Sequence, residues 1–432
     1  MVRIIKNKSS VEFHMISIVF FVLALTIYSL IVFKTKDIIH PIGIGIIFWF
    51  FSASLSTIDV LYDPQLQSEL SFETLTAIFL AGLFFTLPFL FSRKIDKTIF
   101  SYQRFDFNFF YRLVFNFIVL LSLITFLMRF GSMLTHPPLL SGAGSDLKSL
   151  VPNAPPLLNF IDVSMPYIAL TALFELKYSY RLRRVRRILL IFFVIFTIIA
   201  ALIYKVSRGE FLVFMMGAIY ILLIPRKISL GFKQLMLVIL PIALLLYIGA
   251  MRISETSRAS TQFGEGVANS IFSQVYTYVA MNFQNLNLLV NSSFEPTYIW
   301  GGLKFLLKPF FGSYYDSNAM GFSDYEVSFF NAKTFIYYFY NDLGLAGVMI
   351  YSFIIGLLLQ VIYNKTACNV KYCLLQACFM KAIVFMLFGN YFFGEFVLII
   401  PYSIVLFLLL LIPKIELKKI EVKPISNYPN RN

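Results

Sequence analysis

Long apolar runs are the feature that most constrains what this chain can fold into. A helix rises about 1.5 Å per residue, so roughly 20 apolar residues cross a hydrocarbon core about 30 Å thick. Hydrophobic residues make up 59% of the sequence and charged residues only 13%, about half of the share found in soluble domains. The alternating ten-residue segments of a membrane β-barrel are absent from the sequence. The sequence therefore predicts an all-α polytopic membrane protein.

These runs predict about eleven transmembrane helices. They lie at 16–33, 38–58, 74–91, 110–130, 163–176, 188–206, 211–224, 234–250, 335–363, 373–392 and 395–412. The run 335–363 is too long for one perpendicular crossing. Residues 335–341 are therefore predicted to form a partly submerged or re-entrant piece before residues 343–363 cross.

Lys and Arg residues are divided unevenly between the loops, and this predicts the orientation. One alternating set carries 22 of them, at 34–40, 92–109, 177–187, 225–233, 364–372 and the tail from 413. The long loop 251–334 carries only five in 84 residues. Because positive residues collect in cytoplasmic loops, the first set is predicted inside and the long loop outside. Arg3, Lys6 and Lys8 fall outside in this count, which leaves open about twelve helices with both ends inside.

The chain divides into three parts on this topology. Residues 1–250 hold the N-terminal helices and a shorter outer loop at 131–162, residues 251–334 form the large outer loop, and residues 335–432 hold the C-terminal helices and a cytoplasmic tail. The net charge of +14 is explained by the loop residues that set topology and contact lipid head groups. No nucleic-acid partner is expected.

The first candidate for a functional role is the polar turn 207–210, of sequence Ser-Arg-Gly-Glu, between two apolar runs on the outer side. A charge near the bilayer centre costs about 2.5 to 3.5 kcal/mol on insertion scales, so an arginine kept there usually holds an anion. The alternative is that Arg208 reaches up to lipid head groups or pairs with Glu210.

The second candidate follows the eighth apolar run, at the start of the long loop. If that helix continues outward, Arg252, Glu255 and Arg258 form a loose stripe on one face. Guanidinium groups can bind a diphosphate through paired hydrogen bonds, which lysine does less well. The alternative is an exposed row of ion pairs worth under about 1 kcal/mol.

Aromatic and amide side chains further along the loop form a third candidate. Sugars are bound by amide hydrogen bonds and by aromatic rings that stack on their apolar faces. The residues predicted to bind a glycan are Tyr276, Asn282, Asn285, Tyr298 and Trp300. Aromatic residues also mark membrane interfaces in general, and that reading stays open for each of them.

The sequence contains no phosphate-cradling loop and no Ser-His-Asp arrangement. Its three cysteines, Cys368, Cys373 and Cys378, are spaced by five residues and scatter around a helix. No histidine or carboxylate completes a metal set with them, so they are predicted to be core thiols. No metal or other cofactor is expected.

The layout resembles bacterial O-antigen or oligosaccharide repeat-unit polymerases of the Wzy type, over nearly the whole chain. The resemblance rests on the span number, the large late loop and three local patterns. These are Ser207-Arg208-Gly209, Tyr298-Ile299-Trp300-Gly301-Gly302 and Asn341-Asp342-Leu343-Gly344-Leu345-Ala346-Gly347. It implies a GT-C-like glycosyltransferase fold in the bacterial inner membrane, with the large loop in the periplasm. It also implies metal-independent chemistry and a chain-length regulator as a candidate partner.

The resemblance further implies that donor and acceptor are glycans linked to undecaprenyl diphosphate. The acceptor hydroxyl displaces the lipid diphosphate from the anomeric carbon of the donor, with inversion. Cations must then stabilise the departing diphosphate, and Arg208, Arg252 and Arg258 are the candidates. Glu210 and Glu255 are the candidates for a base beside the attacking hydroxyl.

Two alternatives come from other classes. A lipid-linked oligosaccharide flippase should lack a loop of this size and should carry charges inside its central spans. Only Lys381 falls well inside a predicted span. An O-antigen ligase resembles a design with an essential histidine in the large loop, and residues 251–334 contain no histidine.

Overall fold

A computed structural model describes residues 2–58, 67–93, 104–140, 150–153, 158–223, 276–293, 295–303, 327, 332–366, 368–392 and 396–412. Across these ranges the secondary structure is helical, apart from one isolated bridge between Phe105 and Ser179. The α-helices are α1 (Val2–Thr35), α2 (Pro41–Ser56), α3 (Phe72–Thr86), α4 (Phe109–Phe130), α5 (Asn159–Tyr178), α6 (Arg184–Ile199), α7 (Arg208–Leu223), α8 (Asn282–Val290), α9 (Tyr337–Thr366), α10 (Lys371–Val384) and α11 (Phe396–Leu411). Short 3₁₀ or π turns extend α3, α4 and α6.

Several described helices have the character of membrane spans. Five apolar helical stretches are long enough to cross a bilayer, at Met15–Thr35, Phe72–Phe91, Phe109–Leu140, Arg184–Tyr204 and Tyr337–Thr366. Large apolar side chains such as Phe117 and Leu189 lie exposed on their surfaces, as expected of residues that face lipid. The all-helical, polytopic membrane class is confirmed.

The helix termini follow local sequence signals. Asn108 begins α4, and its side chain accepts a hydrogen bond from the Tyr111 amide at 2.7 Å. Ser71 does the same for α3, and Pro41 occupies the first turn of α2, where its missing N–H costs nothing.

Helix α9 contains the break that the sequence predicts near residue 342. Leu343 and Gly344 depart from helical geometry, and Gly344 has a φ of 60°, a conformation that glycine adopts without strain. Residues 337–342 therefore form a separate helical turn before the longer apolar part of α9, which begins after Gly344.

Two sequence predictions need correction, and one predicted span lies outside the described ranges. The run 373–392 is not one helix, because α10 ends at Val384 and Phe385 has non-helical dihedral angles. Cys368 is exposed instead of a core thiol, because it lies in the turn between α9 and α10, whereas Cys373 and Cys378 are buried. The predicted span 234–250 falls outside the described residues.

Contacts between the loops group them at two ends of the helices. Lys34 Nζ donates to the Leu90 carbonyl at 2.8 Å, and Tyr363 donates to the Asp37 carboxylate at 3.0 Å. These residues lie in or beside the loops rich in Lys and Arg. At the opposite end, where the candidate site lies, Arg129 donates to the Pro152 carbonyl at 2.6 Å and the Gln284 side chain donates to the Ser68 carbonyl at 3.0 Å. This grouping matches the one on which the predicted orientation depends.

Small residues let the helices approach closely, as is usual in membrane bundles. At Gly356 of α9, a Cβ atom would lie 2.2 Å from the carbonyl oxygen of Phe85 in α3. The backbones of these two helices are therefore in direct contact. Trp49 packs against Phe283 and Phe335 with ring centroids 5.0 Å away in each case, which joins α2 to α8 and to the start of α9.

Replacing Gly356 with alanine is expected to destabilise the helical bundle by about 1–3 kcal/mol, the usual cost of overpacking a tight contact. The purified variant in detergent should unfold at a lower temperature than the wild-type protein. Unfolding can be monitored by the reaction of the buried Cys373 and Cys378 thiols with a thiol-reactive dye. Gly131→Ala is the matched control, because nothing lies within 4 Å of a Cβ atom at that position. Equal unfolding temperatures for the two variants would show that α3 and α9 do not touch at Gly356.

Candidate functional site

The turn between α6 and α7 places the predicted Ser207–Glu210 segment at the end of the helices opposite the loops rich in Lys and Arg. Residues Ala200–Tyr204 form a π-helical turn, and Val206 has a φ of 47°, which is unfavourable for a β-branched residue. Helix α7 then begins at Arg208, and the Glu210 amide donates to the Ser207 hydroxyl at 3.3 Å. Such strained turns persist only where the surrounding contacts hold them.

Four charged side chains from three helices and this turn form a network that we call the charge cluster: Arg129, Asp162, Lys205 and Glu210. The Arg129 guanidinium donates to one carboxylate oxygen of Asp162 at 2.5 Å. Lys205 Nζ lies 2.8 Å from the other oxygen of Asp162 and 2.8 Å from Oε2 of Glu210. Asp162 and Lys205 side chains are each only 2% exposed. Buried charges persist when they are paired in this way.

The charge cluster contains the carboxylate that was the alternative partner predicted for Arg208. Glu210 pairs with Lys205, so the alternative in which Arg208 pairs with Glu210 is not what the structure contains. The two residues are two apart on α7, and side chains at that spacing do not face each other. Within the described residues Arg208 makes no ion pair; its guanidinium donates to the Tyr278 hydroxyl at 3.3 Å and lies 5.6 Å from that ring's centroid.

A second cation lies beside the same turn. Lys381, near the end of α10, has its ammonium nitrogen 3.7 Å from where a Cβ atom on Gly209 would lie. It also stands 4.2 Å from the centroid of the Tyr391 ring. Tyr278 packs against Phe388 with the ring centroids 5.3 Å apart. Two cations and three aromatic rings, from segments distant in sequence, thus surround the start of α7.

We call Arg208, Lys381, Tyr278, Tyr391 and Phe388 the cationic cluster. Its arginine was predicted from sequence, whereas its lysine drew notice only as a charge inside a span. Lys381 could have been found from the sequence as a single charged residue inside an apolar segment. An ionisable residue within a membrane helix is by default a functional candidate.

Three of the predicted glycan-binding residues are buried and make hydrogen bonds within the protein. The Tyr276 hydroxyl donates to the Ile58 carbonyl at 2.7 Å. Asn285 lies between the Val327 amide and the Ala332 carbonyl, each at 2.7 Å. The amide nitrogen of Asn282 donates to the Tyr278 carbonyl at 2.5 Å, and its amide oxygen has no hydrogen-bond partner among the described residues. Tyr276 and Asn285 therefore join segments that are distant in sequence, and the contact of all three with a glycan stays a prediction.

The other two, Tyr298 and Trp300, lie in a turn over residues 297–303. Tyr298 is 64% exposed and has a φ of 54°, which an L-residue adopts only with support from its surroundings. The Trp300 amide donates to the Thr297 carbonyl at 3.0 Å. Tyr298 therefore presents its ring at the surface, as a glycan-stacking residue would.

Asp342 supplies the support for that turn. It is buried, and its carboxylate accepts from the Thr297 hydroxyl at 2.6 Å and from the Gly301 and Gly302 amides at 2.8 and 2.7 Å. The sequence patterns around Gly301 and Asp342, 41 residues apart, therefore contact each other. A Cβ atom on Gly302 would lie 2.9 Å from that carboxylate, so glycine is required for the close approach.

Arg252, Glu255 and Arg258 lie outside the described residues. Nothing in the structure therefore tests the predicted stripe at the start of the long loop. Their roles stay predictions.

Comparison with known proteins does not assign the chain to a family. No family model, no curated protein and no solved structure matches the chain. Within the described ranges, His, Cys, Asp and Glu side chains do not gather in groups of three or more that could hold a metal. The chemistry that the described residues offer is anion binding by the cationic cluster, beside a carboxylate with one oxygen available.

Proposed function

We propose that this chain is a membrane glycosyltransferase that polymerises undecaprenyl-diphosphate-linked oligosaccharide repeat units into a long surface polysaccharide. It acts at the periplasmic face of a bacterial inner membrane. The donor is the growing glycan on its lipid diphosphate, and the acceptor is a single lipid-linked repeat unit. A chain-length regulator is a candidate protein partner for this function.

The observation that carries the proposal is the state of Arg208. Its guanidinium lies at the start of α7, half-buried and without a carboxylate partner among the described residues, while Glu210 is paired with Lys205. A half-buried arginine loses part of its hydration, and a bound anion compensates that loss. A lipid diphosphate is an anion that can reach the end of a membrane helix, because its phosphates lie at the membrane surface and its chain in the hydrocarbon.

The cationic cluster suits the bond-breaking step of such a reaction. Negative charge develops on the diphosphate as its bond to the anomeric carbon breaks, and fixed cations stabilise that charge. Arg208 can bind two phosphate oxygens side by side, and Lys381 adds a second positive charge. The exposed ring of Tyr298 supports the proposal further, since a sugar can stack on it. The reaction is proposed to invert the anomeric centre.

A lipid-linked oligosaccharide flippase is the second candidate. The observation that favours it is the charge cluster, because buried ionisable residues in membrane proteins often mark a transport path. An O-antigen ligase is the third candidate, because that family resembles the same layout. The lack of a histidine in residues 251–334 disfavours it.

Deletion of the gene, followed by gel analysis of the surface glycolipid, separates these functions. A polymerase mutant should carry single repeat units and no ladder of longer chains, and the wild-type chain in trans should restore the ladder. Loss of all surface glycan would identify a flippase. Polymer that accumulates on the undecaprenyl lipid would identify a ligase. Either of the last two results would overturn the proposed function.

A further inference from the structure

We propose that Glu210 is the proton acceptor of the reaction and that Lys205, Asp162 and Arg129 are positioning residues that hold it in place. This inference rests on the proposed function, because it assigns a role at the same site. The charge cluster is otherwise unexplained, since a buried ion-pair network contributes little stability beyond what apolar residues would supply.

The hydrogen bonds leave one oxygen of Glu210 available. Lys205 Nζ has three donors, and it lies 2.8 Å from the Asp162 main-chain carbonyl, 2.8 Å from the Asp162 carboxylate and 2.8 Å from Oε2 of Glu210. The lysine therefore makes two hydrogen bonds, to the Asp162 carbonyl and to Oε2 of Glu210, and an ion-pair contact with the Asp162 carboxylate. Oε1 of Glu210 has no hydrogen-bond partner among the described residues, and the side chain is 20% exposed. That oxygen can accept a bond from a hydroxyl group.

The cluster also fixes the direction of that oxygen. Glu210 lies in the first turn of α7, and its own side chain would otherwise rotate freely. Lys205 is anchored in turn by Asp162, and Asp162 by Arg129, which also donates to the Pro152 carbonyl at 2.6 Å. The chain of contacts runs from the outer loop to the carboxylate. A base must be held within hydrogen-bond reach of its proton, and this chain of contacts restricts its motion.

Arg208 and Glu210 lie on different sides of the start of α7. Side chains two residues apart on a helix do not face each other, and here Arg208 turns toward Tyr278 while Glu210 turns toward Lys205. The cation and the carboxylate therefore remain separate, and neither neutralises the other.

The acceptor hydroxyl oxygen bonds to the anomeric carbon as the bond from that carbon to the lipid diphosphate breaks. The diphosphate leaves with the bonding electron pair beside Arg208 and Lys381. The hydroxyl proton passes to Oε1 of Glu210, which returns it to water after the product departs.

The test uses the full-length protein in detergent with lipid-linked repeat units extracted from the deletion strain. Glu210→Gln keeps the size of the side chain and an oxygen for Lys205 but cannot take a proton. Its turnover should fall by about 10² to 10⁴, the usual contribution of a positioned base, while undecaprenyl diphosphate still binds. Lys205→Met should lower turnover and move the acidic limb of the pH–rate profile to higher pH, because the ammonium no longer stabilises the carboxylate. Lys205→Arg should restore most of the rate.

Glu175→Gln is the matched control, because Glu175 and Arg186 form a comparable buried ion pair at 2.8 Å near the opposite end of the helices. It should lower stability and leave the pH–rate profile unchanged. Normal turnover in Glu210→Gln, or loss of turnover only in Glu255→Gln, would overturn the assignment of the base. A wild-type protein that neither polymerises the repeat units nor binds undecaprenyl diphosphate would instead overturn the proposed function.

Discussion

Arg208→Ala should remove long-chain polysaccharide from the cell surface and leave single repeat units in place. Within the described residues the guanidinium makes its hydrogen bond and its cation–π contact with Tyr278 and no ion pair, so its loss should not unfold the protein. It would remove a cation from the departing diphosphate, and loss of one such group typically lowers turnover by about 10² to 10³. The ladder of glycolipids on a gel and the turnover of purified protein measure the two effects.

The chain offers a close control for this substitution. Arg181 lies over the ring of Tyr180 at 5.5 Å, which is nearly the same stacking that Arg208 makes on Tyr278, but near the opposite end of the helices. Arg181→Ala should leave the ladder intact. Arg208→Lys keeps the charge and loses the paired hydrogen bonds, so its chains should be shorter than normal. A normal ladder in Arg208→Ala would refute the anion-binding role.

Asp342→Ala should cause the largest loss of stability among the substitutions considered. The two amides of Gly301 and Gly302 would lose their acceptor in a buried place. Each unpaired buried donor costs about 1–3 kcal/mol, so a loss of about 2–6 kcal/mol is expected before the turn relaxes. The loss of stability is measured by thermal unfolding of the purified protein, which is monitored by the reaction of its buried cysteines with a thiol-reactive dye.

Two further variants make that result specific. Asp342→Asn keeps one oxygen and replaces the other with an amide, so it should lose an intermediate amount of stability. Asp106→Ala removes a carboxylate that is 65% exposed and lies 3.7 Å from Arg112, and such pairs contribute under about 1 kcal/mol. If Asp342→Ala were as stable as Asp106→Ala, the carboxylate would not support the turn.

The helical membrane class could be predicted because the length of an apolar run is a local property of the sequence. Each apolar run predicts one transmembrane helix by itself. The break in α9 could be predicted because residues 335–363 are too many for one perpendicular crossing of the membrane. The end of α10 was mispredicted for a related reason. Residues 385–392 remain apolar after the helix stops, so hydropathy alone does not reveal the turn.

The site was harder to predict, because its residues come together only in three dimensions. Arg208 and Glu210 were visible as charges in a short turn, whereas Asp162 was one of many outer carboxylates with nothing to distinguish it. Lys381 is 172 residues from Gly209 in the sequence and next to it in space. Which carboxylate pairs with which cation depends on helix packing, and no spacing rule in a single sequence contains that information.

The hydrogen bonds between Thr297, Gly301, Gly302 and Asp342 close the intervening residues at their base. The free energy of closing a chain segment grows only with the logarithm of its length, so doubling it adds roughly 0.6 kcal/mol. A change in the length of the chain between Gly302 and Asp342 would therefore add little to the free energy of forming these hydrogen bonds.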